Sequence, residues 1–440
     1  MYTVGLYTLG CKVSLYETEA IAESFRREGF EIRAFDDACD VYVINTCTVT
    51  AESDAKSRKY IRRAIRKNPR AIVIVVGCYS QRAPEEVAMI EGVSAVIGTQ
   101  DKLRAVEIAK RLLSAERRVQ NAEVFVGSLE GVGFEPMCVK NAPRTRAYVK
   151  IEDGCECKCT YCAISGARGP VRSKHPEDVI SEVEGLYKSG TREIVLTGIE
   201  TGSYGADLNE KYDLAALLCE LDSRHSCERI RLGSMAPELL SEKFISRVGN
   251  LGILVPHIHI SMQSGADSVL RGMKRRYNRK MALDNIARIR KYKPDVMFTA
   301  DLMVGFPGET EEDFLDTVNF VREARLLDAH VFAYSKREGT PAATYENQIP
   351  EDVKRERSAR LIAEKNAVRD SVLDEVVREG KTLSCIAETR DKNGVYTAHS
   401  DSYIEVRFEG EEGLSGDIID IIPMYHKDGT IYGNVAKRKI

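Results

Sequence analysis

No uninterrupted apolar segment in the 440 residues approaches the length needed to span a bilayer, and the N-terminus, Met1-Tyr2-Thr3-Val4-Gly5, lacks a basic stretch followed by an apolar run. The expectation is a cytoplasmic protein with no membrane partner. Charge of one sign is not in excess either: 64 Lys and Arg against 67 Asp and Glu leave a net charge of -3, which gives no global attraction to nucleic acid. Any RNA contact must then use a local patch. Internal repeats and low-complexity segments are absent, which excludes solenoid and disordered readings. Apolar residues at 43% and charged residues at 30% are ordinary for a globular chain, and this length accommodates about three domains.

Cysteine is what the chain has in quantity. Twelve cysteines in a reducing compartment make a disulfide framework improbable and point to metal or redox chemistry. Cys155, Cys157, Cys159 and Cys162 crowd into eight residues, while Cys11, Cys47 and Cys78 are dispersed through the N-terminal region.

The first hundred residues alternate short apolar runs (Thr3 to Leu9, Val41 to Asn45, Ile72 to Val76) with helical stretches from about Leu15 to Glu28 and Ser53 to Lys67. That is the pattern of a parallel α/β sheet. Each dispersed cysteine follows the end of one apolar run, so the three thiols would meet at the carboxyl edge, where such sheets bind ligands. The predicted divisions are an N-terminal α/β domain over 1–125, a linker over 126–145 with Gly131, Gly133 and Pro143, a parallel β/α barrel or half-barrel over 146–345, a charged connecting helix over 346–380, and a small β-barrel over 381–440.

Cys155, Cys159 and Cys162 form C-x3-C-x2-C just after the apparent strand Ala147 to Ile151. Three thiolates on one loop can hold three irons of a 4Fe-4S cluster and leave the fourth free for another ligand. Neither the ferredoxin spacing nor the two paired ligand sets of a zinc site fits well, although buried cysteines or a structural zinc knuckle remain alternatives. Cys157 falls outside the spacing.

This spacing, with Tyr161 before the last cysteine, resembles the radical S-adenosylmethionine (SAM) superfamily, in which SAM chelates the open iron. Thr197-Gly198-Ile199-Glu200-Thr201-Gly202, Arg231-Leu232-Gly233-Ser234, Gln263-Ser264-Gly265 and Val304-Gly305-Phe306-Pro307-Gly308-Glu309 occupy successive later strand ends. The resemblance therefore implies SAM contacts from Tyr161, Gly198, Glu200, Ser234, Gln263 and Gly305. Thr8-Leu9-Gly10-Cys11-Lys12-Val13, Asn45-Thr46-Cys47-Thr48-Val49 and Gly77-Cys78-Tyr79-Ser80-Gln81 resemble the three N-terminal motifs of the radical SAM methylthiotransferases. The likeness runs through Asp153-Gly154-Cys155, Ala167-Arg168-Gly169-Pro170 and His257-Ile258-His259-Ile260-Ser261 to a TRAM-like C-terminal barrel.

That family resemblance implies two 4Fe-4S clusters, one on Cys155, Cys159 and Cys162, and an auxiliary one on Cys11, Cys47 and Cys78. It implies hydrogen removal from an unactivated carbon by a 5'-deoxyadenosyl radical, sulfur supplied through the auxiliary cluster, and methyl from another SAM. A low-potential electron donor and a sulfur source are implied partners; no proton-transfer side chain is required. The first motif is most similar to the branch acting on N6-threonylcarbamoyladenosine beside the tRNA anticodon, whereas the isopentenyl-adenosine and ribosomal-aspartate branches carry different residues around this cysteine. Ser14, where that branch usually has asparagine, and Ile164-Ser165-Gly166 are departures. Protein methylthiolation and a noncatalytic iron-sulfur RNA-binding protein are the competing readings.

For the nucleic acid, the segment from Asp54 to Arg70 concentrates Arg58, Arg62, Arg63 and Arg66 with four further cations against one acid. On a helix beside the Cys47 strand end this suits phosphate binding, its alternative being a solvated face. Lys274-Arg275-Arg276 is expected to add to that surface. His257 and His259 are read as packing residues rather than metal ligands.

Overall fold

The computed structural model describes residues 1–115, 121–142, 145–208 and 212–438. The N-terminal sheet contains β1 (Thr3–Thr8), β2 (Glu31–Arg33), β3 (Val41–Thr46), β4 (Ile72–Gly77), β5 (Ala95–Ile97) and β6 (Glu123–Phe125). They pair in the order β2-β1-β3-β4-β5-β6, all parallel. Every residue of β3 is buried, as a strand covered by helices on both faces requires. The sheet thus has three strands beyond those read from the apolar runs. β2, β5 and β6 are three residues each, too short for a periodicity to register.

The chain turns from β1 outward to β2, then returns past β1 to β3. This places the topological switch, and the ligand-binding crevice, between β1 and β3. No helix or strand occurs among the described residues from Val126 to Thr145; Pro143 and Arg144 lie outside them.

In the second layer, β7 (Arg146–Lys150) leads into β8 (Glu152–Asp153), which pairs antiparallel with β9 (Arg172–Ser173). The cysteine loop lies between these two short strands. Five longer strands follow: β10 (Glu193–Thr197), β11 (Arg229–Leu232), β12 (His257–Gln263), β13 (Met297–Val304) and β14 (Asp328–Ala333). Sheets β7-β10-β11 and β12-β13-β14 are joined by parallel bridges Ile230 to Leu254 and Met235 to Ile260. The result is an open half-barrel of six parallel strands. Its core joins Val149, Leu196, Ile230, Ile260 and Phe298 with helix residues such as Leu217 and Phe320.

Tyr16 and Ala20 from the helix Lys12–Arg27 enter the same core, and Tyr16 Oη donates to the Met137 carbonyl at 2.8 Å. The same hydroxyl lies 3.0 Å from Glu182 Oε1 on the half-barrel helix Pro176–Lys188, which docks the N-terminal layer on the half-barrel. The charged helix Glu351–Glu379 then ends at Gly380, whose φ of 63° supplies a left-handed stop. Beyond it, β15 (Leu383–Arg390), β16 (Val395–Ser400), β17 (Glu405–Glu409), β18 (Ile418–Lys427) and β19 (Thr430–Arg438) close into a five-stranded barrel. No described helix is long and apolar enough to cross a membrane.

Candidate functional site

Cys11 caps the helix after β1, Cys47 follows β3, and Cys78 opens the short helix after β4. Because β1, β3 and β4 are adjacent, all three thiols lie along one stretch of the carboxyl edge. Gly77 makes the last of these placements possible: its φ is 102°, and a Cβ there would stand 2.5 Å from Asn45 Oδ1 and 2.7 Å from the Thr46 carbonyl. Cys11 is exposed, Cys47 half-buried and Cys78 buried. Burial pushes the Cys78 thiol up to about 11, with Arg168 pulling the other way.

The second set sits on the loop between β8 and β9. Gly154, with φ of 96°, passes so near Pro170 that a Cβ would run into that carbonyl oxygen. Cys155 N then donates to the Gly169 carbonyl at 2.9 Å, and Cys162 Sγ accepts from Ile164 N at 3.3 Å. Cys157 borders an outer hollow with Lys158, Arg271 and Arg276. A hydrogen bond from Cys155 lowers the Cys157 thiol to about 6.

Each set has one arginine directed at a sulfur. Arg168 Nε lies 3.1 Å from Cys78 Sγ, and Arg275 Nη1 lies 3.2 Å from Cys159 Sγ. Arg275 therefore leaves the basic surface expected for Lys274-Arg275-Arg276; its other nitrogens bond Ser261 O and Tyr277 Oη. Behind Arg168 lies a buried charge network; the motif segments Asp153-Gly154-Cys155 and Ala167-Arg168-Gly169-Pro170 contain Asp153 and Arg168, but no sequence signal marks Glu17, Lys102 or Lys150. Glu17 receives Arg168, Lys102 and Lys150 at 2.5, 3.1 and 3.0 Å, while Asp153 receives Lys150 at 2.9 Å and Arg168 at 3.1 Å.

Burial opposes ionisation of both carboxyls, yet the cations prevail. Arg168, then Lys102 and Lys150, hold Glu17 well below the carboxylate range, and Arg168 with Lys150 brings Asp153 to about 2. Arg172, 2% exposed, approaches Asp153 at 3.6 Å, and none of its three guanidinium nitrogens has a hydrogen-bond partner. Lys102, Lys150, Arg168 and Arg172 surround Glu17 and Asp153, with buried Glu135 beside Lys102 and Lys150. The unpartnered Arg172 guanidinium fits a neighbouring anionic thiolate cluster. Among the described residues no three His, Cys, Asp or Glu side chains form a set that could hold a single metal ion. Cluster thiolates each meet a different iron and need not converge in that way.

A cavity of about 530 Å³ connects the parts of the chain. Cys11 and Lys12 reach it from the N-terminal layer, Gly198 and Ser234 from half-barrel strand ends, Arg369 from the long helix and Tyr403 from the small barrel. His257, His259, Asp301 and His330 also line it. His257 Nε2 and His259 Nδ1 lie 3.0 and 2.7 Å from Thr299 Oγ1. Asp301 stands 3.2 Å from His259 and 3.4 Å from His330. Burial keeps His257 well below the usual histidine range, hence neutral, and its ring stacks on Tyr403 at 4.6 Å. Burial, reinforced by Arg231, lowers the Lys12 pKa.

Of the other expected SAM contacts, Glu200 is buried, accepts Ala236 N at 3.1 Å, and is pushed up to about 8 by burial. Gln263, at φ 64°, buries an Oε1 with no partner. Tyr161 packs against the apolar cluster of Met273, Phe306 and Tyr334. Gly305 gives room to the Lys354 side chain of the long helix.

On the basic helix Ala51–Lys67, Arg58 bonds Tyr79 and Glu86, and Arg63 pairs with Asp36. Arg62 and Arg66 remain exposed.

The family described as Radical SAM superfamily matches residues 149–321, and that described as Uncharacterized protein family UPF0004 matches residues 3–98. A radical SAM domain implies one 4Fe-4S cluster and SAM. The chain is 41% identical to the threonylcarbamoyladenosine tRNA methylthiotransferase MtaB of Bacillus subtilis (strain 168), over 96% of this chain and 93% of that one. It is 34% identical to MtaB of Aquifex aeolicus (strain VF5), over 92% and 97%, and 33% identical to the tRNA-2-methylthio-N(6)-dimethylallyladenosine synthase of Desulfitobacterium hafniense (strain Y51), over 96% and 95%. Among solved structures, the radical S-adenosylmethionine methyltransferase TsrM from Kitasatospora setae shares the fold at a TM-score of 0.57 and 15% identity, covering 92% of this chain and 82% of that one. Both halves of the cysteine pattern thus fall in matched regions, and the chain belongs to the radical SAM methylthiotransferase family.

Proposed function

We propose that this chain converts N6-threonylcarbamoyladenosine at position 37 of tRNA to its 2-methylthio derivative. The observation that carries the reading is the shared cavity, into which Cys11 of the dispersed set and the strand ends at Gly198 and Ser234 open together. The higher identity to the threonylcarbamoyladenosine enzyme, 41% against 33% for the dimethylallyladenosine enzyme, favours this arm on the base.

In this assignment Cys155, Cys159 and Cys162 hold the radical SAM 4Fe-4S cluster, and Cys11, Cys47 and Cys78 an auxiliary 4Fe-4S cluster. When bound, these groups and SAM supply hydrogen abstraction at an unactivated carbon and the sulfur that replaces the hydrogen. The protein's own side chains do the holding. Arg168 and Arg275 offset thiolate charge; Gly198, Glu200, Ser234 and Gln263 contact SAM, with Tyr161 and Gly305 shaping the walls. Residues 1–125, 146–345 and 381–440 act as the auxiliary-cluster, radical SAM and TRAM-like domains, joined by 126–145 and 346–380. Exposed Arg62 and Arg66 meet phosphates near the anticodon loop. A low-potential electron donor and a sulfur source complete the cycle in the cytoplasm.

Nucleoside mass spectrometry tests this on tRNA from cells lacking their own methylthiotransferases and expressing the chain or its Cys11→Ala variant. The expected result is methylthiolated threonylcarbamoyladenosine with the intact chain alone. No changed tRNA nucleoside, with both clusters loaded, would move the substrate to a protein side chain.

A further inference from the structure

The wall of the central cavity contains one cation whose position suits a task the cysteines leave open. Lys12 follows Cys11 directly and occupies the first turn of a 16-residue helix to which Cys11 gives no side-chain cap. Its ammonium has no hydrogen-bond or ion-pair partner within contact distance among the described residues, although the side chain is only partly exposed; the Asp301 carboxylate on the same cavity wall attracts it from farther away. The helix start adds the partial positive charge of its free amides to that of the lysine. The cavity also contains His257, 3% exposed, whose Nδ1 is buried without a partner. An anionic group would find its counter-charge at this end of the cavity in Lys12 and the helix start, held apart from the carboxylates Asp301 and Glu405 that also line it.

Resting on the function proposed above, we propose that Lys12 binds the carboxylate of the threonylcarbamoyl arm and so selects this nucleoside. The arm leaves N6 of the same six-membered ring whose C2 receives sulfur. The carboxylate carbon is seven bonds from C2, by way of N1, C6, N6 and the carbamoyl group; with C2 turned to the auxiliary thiols, that span and the flexible four-carbon stem of a lysine adjacent to Cys11 together bring ammonium and carboxylate into reach. The same ammonium rejects a dimethylallyl arm, because an apolar group would close over a charge and leave it unpaired. One residue then both accepts the acidic arm and excludes the apolar one.

The test measures binding of anticodon stem-loops to the cluster-loaded full chain without oxygen. Three probes differ only at the target base: threonylcarbamoyladenosine as the free acid, its methyl ester, and unmodified adenosine. The wild-type chain is expected to bind the acid about tenfold or more tightly than the ester, the size of one charge-assisted hydrogen bond. Lys12→Gln should bind acid and ester alike, and Lys12→Arg should keep part of the preference. Lys12→Met, which retains the apolar stem, replaces Gln if that variant fails to take up iron. Equal wild-type affinity for acid and ester would overturn the proposal. So would a full preference surviving in the uncharged Lys12 variants, or a preference lost in Arg369→Gln instead. Failure of the wild-type chain to methylthiolate the acid-bearing loop bears on the function itself and is read separately from these affinities.

Discussion

Arg168 Nε donates to Cys78 Sγ across 3.1 Å, and the same guanidinium holds Glu17 at 2.5 Å and Asp153 at 3.1 Å. One side chain therefore ties the segment after the Cys155–Cys162 loop to the dispersed cysteines and to the helix that docks the two layers. Arg168→Ala would leave two buried carboxylates short of their main counter-ion, an expected cost of about 3–5 kcal/mol. Arg168→Lys keeps the charge but not the fork, so a smaller loss is expected. Urea unfolding of the three proteins checks the order. In a background lacking Cys155, Cys159 and Cys162, residual iron should fall in the same order if Arg168 supports the auxiliary set.

Gly154→Ala separates the two cysteine sets. Its Cβ would collide with the Pro170 carbonyl, which belongs to backbone and cannot swing aside. Cys155 should be displaced while Cys11, Cys47 and Cys78 keep their places. On the proposed two-cluster assignment, iron content should drop from about eight to about four per chain, with reductive SAM cleavage abolished. Retention of about eight irons would refute the claim that this turn positions the loop.

How much of this was legible in the sequence depends on separation along the chain. The cysteine loop lies within eight residues, so its spacing is a local signal; the dispersed cysteines became readable because each ends a strongly apolar run. The helices read from about Leu15 to Glu28 and Ser53 to Lys67 fall on Lys12–Arg27 and Ala51–Lys67, within three residues at each end. The Glu17 network was not legible. Arg168 and Asp153 stand in motif segments, but their partners Glu17, Lys102 and Lys150 come from distant segments, and a lone lysine ordinarily reads as a surface residue. Arg275 was hidden for a related reason, since its basic neighbours suggested a solvated patch while its backbone turns it toward Cys159. Arg58 and Arg63 read as RNA contacts on charge alone, but sequence does not reveal that Glu86 and Asp36 lie opposite them.

Glu200 reverses the usual acid dependence of a carboxyl. Burial raises it from 4.5 to about 8, so the folded chain retains a proton that the unfolded chain releases near pH 4.5. Its contribution to stability is greatest below pH 4.5 and is lost as pH rises to about 8. Glu200→Gln should match the wild-type chain at pH 5 and exceed its stability at pH 9, by on the order of a few kcal/mol. Melts of the SAM-free, cluster-loaded proteins at both pH values check this, and parallel behaviour of the two proteins would contradict it.

The basic helix Ala51–Lys67 offers a graded test of RNA binding. Counting from its Thr50 cap, Arg62 and Arg66 lie about 18–24 Å along the axis from the cysteine edge, a distance suited to backbone binding rather than to the target base. Replacing each by Ala should weaken tRNA binding without changing the preference among modified bases. The slope of log K against log salt should become shallower by about one for each phosphate that no longer meets a cation. Arg58→Ala and Arg63→Ala break intramolecular pairs with Glu86 and Asp36 and should leave that slope nearly unchanged. If all four substitutions reduce the slope equally, those pairs open on binding and the whole helix face meets the RNA; if none does, the phosphates are held elsewhere, with the exposed cations Arg271, Lys274 and Arg276 beside the Cys157 hollow the next set to replace.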